Sequence, residues 1–131
     1  SVAAIVGDGC FAMNAFEVAT AVAQRLPIRV FVFNDNRLGM VENGHEHVYG
    51  RRPDYSTGTL DVCAIATGLG AATVRVSRPG DLIAAARLLA SYPGPVVVDV
   101  LIDPAVRLPK KDRMAAFAPP PAVPADEPGV N

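Results

Sequence analysis

The most regular signal along the chain is an alternation of short apolar runs with longer amphipathic stretches. Val2 to Val6 is a continuous apolar run closed by Gly7, and Ile28 to Phe33 (Ile-Arg-Val-Phe-Val-Phe) is a second, closed by Asn34-Asp35-Asn36. Runs of this length bounded by turn residues read as buried strands. Between them Asn14 stands three residues ahead of Glu17, the spacing of a capping box with Asn as the N-cap, and Phe16, Val18, Ala19, Val22 and Ala23 recur at helical intervals as far as Pro27. The pattern predicts a β-α-β unit. Thr59 to Leu69 predicts a second helix ending at Gly68 and Gly70, Ala72 to Val76 a strand, Pro79 onward a third helix with Leu82, Ile83, Ala86 and Leu89, and Val96 to Ile102 a last strand. Such alternation implies an α/β fold, a three-layer sandwich with a mostly parallel sheet and helices on both faces. Arg37 to Asp54 fits less well. A short helix is expected over Leu38 to Glu42, and Gly44, Gly50 and Pro53 make the remainder read as loop.

With 131 residues the chain has material for one ordinary domain. The composition shifts at Pro109, where Lys110-Lys111-Asp112-Arg113 is followed by Pro119, Pro120, Pro121, Pro124 and Pro128. Residues 1–108 therefore read as the folded domain and 109–131 as a Pro-rich tail, extended or strapped along a neighbour. Twelve basic residues against 13 acidic ones leave a net charge of -1, which argues against nucleic acid or an anionic membrane as a partner. No apolar run approaches the roughly 20 residues that span a bilayer. Two cysteines, Cys10 and Cys63, without C-x-x-C spacing, point to a reduced, cytoplasmic setting rather than a disulfide framework. The chain opens without Met and almost directly on a strand, so it reads as truncated at its N-terminus.

In open parallel sheets, ligands bind where the carboxyl ends of the strands meet the following loops. Gly7-Asp8-Gly9 follows the first apolar run and Asn34-Asp35-Asn36 the second. Asp8 and Asp35 are 27 residues apart across one crossover. A right-handed return brings both to the same sheet edge. Two hard oxygen ligands then face one crevice, Gly9 permits close backbone approach, and the helix expected to be capped by Asn14 would present free N–H groups to the same place. The set suits a magnesium ion bridging protein oxygens to a diphosphate. Either tripeptide alone is an ordinary turn sequence; the pair, each directly after a buried strand, is much rarer.

Gly7-Asp8-Gly9, the stretch Cys10-Phe11-Ala12-Met13-Asn14-Ala15-Phe16-Glu17, and Asn34-Asp35-Asn36-Arg37-Leu38-Gly39-Met40-Val41 together resemble the thiamine diphosphate signature of the acetolactate synthase-like enzymes. The resemblance continues through Val48-Tyr49-Gly50 and covers about the first 108 residues. It implies the C-terminal, diphosphate-binding domain of such an enzyme. Thiamine diphosphate and Mg2+ would be the cofactors, with the metal on Asp8, Asp35 and the backbone carbonyl of Arg37. Backbone groups around Gly7, Gly9 and Cys10 would hold the diphosphate, and the Leu38-Gly39-Met40 turn would lie beside the thiazolium. The implied reaction is decarboxylation of a 2-oxo acid with carboligation. No catalytic residue is assigned within the chain, because the glutamate that activates the aminopyrimidine belongs to a separate pyrimidine-binding domain, normally of a partner subunit. A homo- or hetero-oligomer is therefore expected, and the chain by itself is expected to be inactive. Two positions depart from the family pattern: Asp35 replaces the usual Asn, and Gly44 stands where branched-chain synthases carry the Trp that shapes the acceptor pocket, which argues against the larger acceptor 2-oxobutyrate.

The remaining candidates have plainer readings. His45-Glu46-His47 lacks a third ligand nearby and reads as a loop, with one histidine able to line the substrate mouth. Cys10 reads as a small packed side chain beside the phosphate site, Met13 as core filler, and Arg51-Arg52 and Lys110-Lys111 as solvated charges. Two rival functions are a non-catalytic scaffold of the same fold and a Mg-dependent phosphoryl-transfer domain with Asp8 as nucleophile. The latter would want a D-x-D-like pair, which Asp8-Gly9-Cys10 does not supply.

Overall fold

The computed structural model describes residues 2–106. Its elements in chain order are β1 (Val2–Gly7), α1 (Asp8–Asn14), α2 (Glu17–Ala23), β2 (Ile28–Asn34), α3 (Gly39–Tyr49), α4 (Val62–Gly68), β3 (Ala72–Val76), a 3-10 turn (Pro79–Asp81), α5 (Leu82–Ser91) and β4 (Val96–Leu101). The four strands form one parallel sheet in the order β1-β2-β4-β3. The boundary at residue 108 and the Pro-rich tail lie outside the described residues.

Strand periodicity sorts the side chains onto two faces. On one face Val30, Val32 and Val97 pack with Phe11, Ala15 and Val18 of the α1–α2 segment and with Val62 and Ala66 of α4. On the other, Val96 and Val98 pack with Val76 and with Ala85 of α5, and Phe31, Val74, Leu88 and Tyr92 flank them. Helices on both sheet faces make the expected three-layer α/β sandwich. The aliphatic runs at β2 and β4 are continuous because both of their faces are covered. β1 is an edge strand, and its Ile5 is 68 % exposed.

Two expectations from the sequence are corrected. The first helix begins at Asp8, directly after β1, and Asn14 ends it instead of capping the next. Asn14 turns its amide back to donate to the carbonyl of Cys10, and α2 starts from Phe16, which is itself helical and makes no side-chain cap. Burial explains this. Phe11, Ala15 and Val18 fall on one stripe facing the sheet, and continuing the helix from Asp8 places all three in the core. The second correction concerns residues 43–49, expected as loop. They extend α3 to Tyr49, and the helix stops at Gly50, whose φ of 63° is the left-handed C-terminal conformation that glycine adopts without strain. Gly44 inside the helix is offset by Glu42, a fully buried carboxylate that ties α3 to Arg37 and Arg52. Smaller differences sit at element ends. α4 begins at Val62, because the Asp61 carboxylate caps it by accepting from the Ala64 amide at 3.0 Å, and Pro79 opens a 3-10 turn ahead of α5.

Candidate functional site

Gly7 ends β1 and is the cap residue of α1, and Asp8 is the first residue of that helix. The Asp8 side chain is 3 % exposed. Its Oδ1 accepts from the Gly9 amide at 2.8 Å and its Oδ2 from the Arg37 amide at 3.2 Å. Arg37 N–H is shared, donating also to Asp35 Oδ1 at 3.3 Å. The carboxylates of Asp8 and Asp35 thus converge on one backbone amide, at the edge where the parallel pairing of β1 with β2 brings their carboxyl ends together. Burial pushes the Asp8 carboxyl above the ordinary aspartate range. The Gly9 amide opposes that shift and the negative charge of Asp35 adds to it.

The loop from Asp35 to Leu38 is held from three sides. Asn36 adopts a left-handed φ of 54°, which Asn tolerates, and its side-chain oxygen accepts from the Leu60 amide at 3.0 Å. An isolated antiparallel bridge joins Arg37 to Ser56, with bonds from Thr57 N–H to the Asn36 carbonyl and from Leu38 N–H to the Tyr55 carbonyl, each 3.0 Å. Those bonds belong to the residues flanking Arg37, so the Arg37 peptide groups are left for the opposite side, where its N–H meets the carboxylates. The third support is α1. A Cβ on Gly9 would stand 2.6 Å from Leu38 Cδ2, and one on Gly39 would stand 2.9 Å from Asp35 Oδ2. Both glycines are where the two loops touch, so their bare Cα atoms allow the convergence.

All nine residues singled out in the sequence lie at this junction or on its rim. Gly7, Cys10, Leu38 and Met40 are exposed, and Asp35, Arg37 and Gly39 are half-buried. The Gly9 amide is committed to Asp8, so it is not free for an anion in this arrangement. His45 lies apart from the carboxylates, with Nδ1 3.0 Å from the Arg51 carbonyl and its ring between Tyr49 and Tyr55. Among the described residues no group of three or more His, Cys, Asp or Glu side chains gathers around a common metal position. Arg51-Arg52 is not simply solvated, since Arg52 Nε donates to Glu42 Oε1.

Sequence reasoning passed over Asn34, Glu42 and Asp99, which brace the site. Asn34 and Asp99 are fully buried polar residues, Asn34 closing β2 and Asp99 inside β4. Their signal was present: an Asn closing an aliphatic run and an Asp inside Val-Val-Val-Asp-Val-Leu both require a partner when buried.

Does a divalent cation fit here? Two hard oxygen groups share one amide, and among the described residues no ion pair engages either of them. The Arg37 guanidinium is turned away to Glu42. A metal with oxygen preference matches the charge and chemistry of this donor set.

The fold and site together define a cofactor-binding domain of the thiamine diphosphate class. Residues 1–100 match the family model for the thiamine pyrophosphate enzyme, C-terminal TPP binding domain, and the chain belongs to that family. Within it the chain is acetolactate synthase-like. It is 34 % identical over 107 residues to acetolactate synthase 2, chloroplastic, of Zea mays, covering 75 % of this chain and 17 % of that protein. It is 34 % identical over 102 residues to acetolactate synthase of Bacillus subtilis, covering 78 % and 18 %. The chain therefore spans less than a fifth of the length of these relatives. In fold it matches the crystal structure of benzoylformate decarboxylase from Polynucleobacter necessarius with a TM-score of 0.73, over 80 % of this chain and 20 % of that one at 24 % identity. Among the described residues no helix is long and apolar enough to cross a membrane.

Proposed function

We propose that this chain is the diphosphate- and metal-binding part of a thiamine diphosphate- and Mg2+-dependent enzyme that decarboxylates a 2-oxo acid and ligates the product, in the manner of an acetolactate synthase. The observation that carries this reading is the convergence of Asp8 and Asp35 on the single amide of Arg37. In it, Mg2+ sits on the Asp8 and Asp35 carboxylates and the Arg37 carbonyl, which supply hard oxygens on the side of the loop turned from the Ser56 bridge. Backbone groups of Gly7 and Cys10, at the open start of α1, would take the diphosphate, with the Gly9 amide held by Asp8 and its bare Cα allowing close approach, and Leu38, Gly39 and Met40 would lie against the thiazolium. Asp35 adds a negative charge where the family usually has a neutral Asn, and the cation offsets it.

Bound thiamine diphosphate supplies the electron sink for decarboxylation. The protein groups here would orient it: the buried Asp8 is fixed through both oxygens by the Gly9 and Arg37 amides and would hold the metal from a single side-chain position. A glutamate able to activate the aminopyrimidine comes, in this reading, from a pyrimidine-binding domain of an oligomeric partner, and free Cys10 and Cys63 suit a reducing cytoplasm.

The test is release of carbon dioxide from pyruvate by the chain joined to such a domain. Release that requires both Mg2+ and thiamine diphosphate, with none from the chain alone, is the expected result. Release without the metal would contradict the reading.

A further inference from the structure

Behind the carboxylate pair runs a relay of buried polar contacts that reaches across the sheet. Arg75 of β3 and Asp99 of β4 are register partners, and Arg75 Nε donates to Asp99 Oδ2 at 2.9 Å. Asp99, at 0 % exposure, uses its other oxygen, Oδ1, to accept from Asn34 Nδ2 at 3.0 Å. The Asn34 amide also donates to the Leu60 carbonyl at 3.3 Å, and its oxygen accepts from the Asn36 backbone N–H at 3.1 Å. Asn36 is the residue in the left-handed conformation, immediately before Arg37.

An amide side chain has a donor end and an acceptor end, and what it faces decides which way round it sits. Asp99, held as an acceptor by the Arg75 guanidinium, fixes the Asn34 NH2 toward itself. The Asn34 oxygen must then face the loop, where it captures the Asn36 N–H and sets the turn that aims Arg37 at both carboxylates. We propose that Asp99 is a positioning residue for the cation clamp: from β4 it orients Asn34, and through Asn34 it sets the loop on which Asp35 and Arg37 stand. This rests on the metal reading of Asp8 and Asp35.

Asp99→Asn conserves the shape of the residue but leaves one oxygen for two donors. If that oxygen serves Arg75, an NH2 faces Asn34, the Asn34 amide reverses, and its own NH2 meets the Asn36 N–H. The double variant Asn34→Asp with Asp99→Asn restores a donor opposite an acceptor at each step except the longer contact to Leu60. A purely structural role would also be rescued in folding by that exchange, so the Mg2+ affinity of the folded variants is the readout that separates positioning from stability.

The experiment is calorimetric titration of Mg2+, at saturating thiamine diphosphate, into the full enzyme that contains this chain. Asp99→Asn should bind Mg2+ roughly tenfold more weakly, at the lower end of what outer-shell changes do to metal affinity, and the double variant should bind more tightly than Asp99→Asn. If Asp99→Asn does not fold, the double variant decides: it should fold and bind. Wild-type affinity in Asp99→Asn, or a double variant no better than the single one in binding, would overturn the proposal. Asp8→Ala, run in parallel, separates the two readings. Loss of Mg2+ binding there, with none in Asp99→Asn, overturns only the relay, whereas intact binding in Asp8→Ala overturns the clamp itself.

Discussion

Asp8 and Asp35 meet at the single Arg37 amide, and burial of Asp8, with a smaller contribution from the neighbouring Asp35 charge, disfavours its ionisation, an arrangement that suits a cation. The closeness depends on glycine. Gly39 is the first residue of α3, where alanine is acceptable for the helix, but a Cβ there would meet Asp35 Oδ2 at 2.9 Å and push the carboxylate aside. Gly39→Ala should therefore leave the thermal midpoint unchanged or slightly raised while weakening Mg2+ binding about tenfold. Thermal unfolding and metal titration of the same sample check both halves. The pairing of Asp8 with Asp35 was legible in the sequence because a β-α-β unit makes adjacent strands parallel, which puts both following loops at one sheet edge. The shared Arg37 amide and the bracing by Asn34 and Asp99 were not, since they depend on a loop geometry and a strand register that no local pattern encodes.

At the scale of elements, strands were easier to read than helix ends. An aliphatic run bounded by Gly or Asn has few alternatives, whereas Asn14 near Glu17 offered a local cap that lost to the burial of Phe11. That explanation is testable: Phe11→Ala should destabilise the domain by ~3 to 5 kcal/mol, as for other buried phenylalanines, and Phe16→Ala, at a residue 79 % exposed, should have little effect. Urea unfolding of the two variants measures the difference. The 3-10 turn into α5 supplies a pH-dependent element. Asp81 accepts from the Ser77 amide and hydroxyl and from Arg78, and these bonds pull its pKa down from 3.8 to about 2. A depressed carboxylate stabilises the fold above its unfolded pKa and loses that contribution as pH falls through the folded one. Asp81→Asn should thus lower the thermal midpoint at neutral pH, and the gap from wild type should shrink between about pH 4 and pH 2. A gap that stays constant to pH 2 would contradict this assignment.

At the scale of the whole molecule, the candidate site lies at one end of the sheet, and among the described residues part of one sheet face is uncovered. α5 covers the β3–β4 half of its face, while Ile5 of β1 and Phe33 of β2 remain 68 % and 43 % exposed. The parallel order brings the carboxyl ends of β1 and β2 together, and that juxtaposition sets Asp8 and Asp35 against one amide from two loops that are ordinary turns taken singly, the proposed clamp. The class of fold was readable from β-α alternation alone. Glu42, Arg37 and Arg52 meet only because α3 runs on past Gly44, a tertiary choice that the sequence pattern masked. The account turns on whether the clamp binds a metal-linked diphosphate. Calorimetric titration of thiamine diphosphate, with and without Mg2+, into the full enzyme and its Asp8→Ala and Asp35→Asn variants tests this most directly. Mg2+-dependent binding should be present in the wild type, kept in Asp35→Asn and abolished in Asp8→Ala; undiminished Mg2+-dependent binding in Asp8→Ala would contradict it.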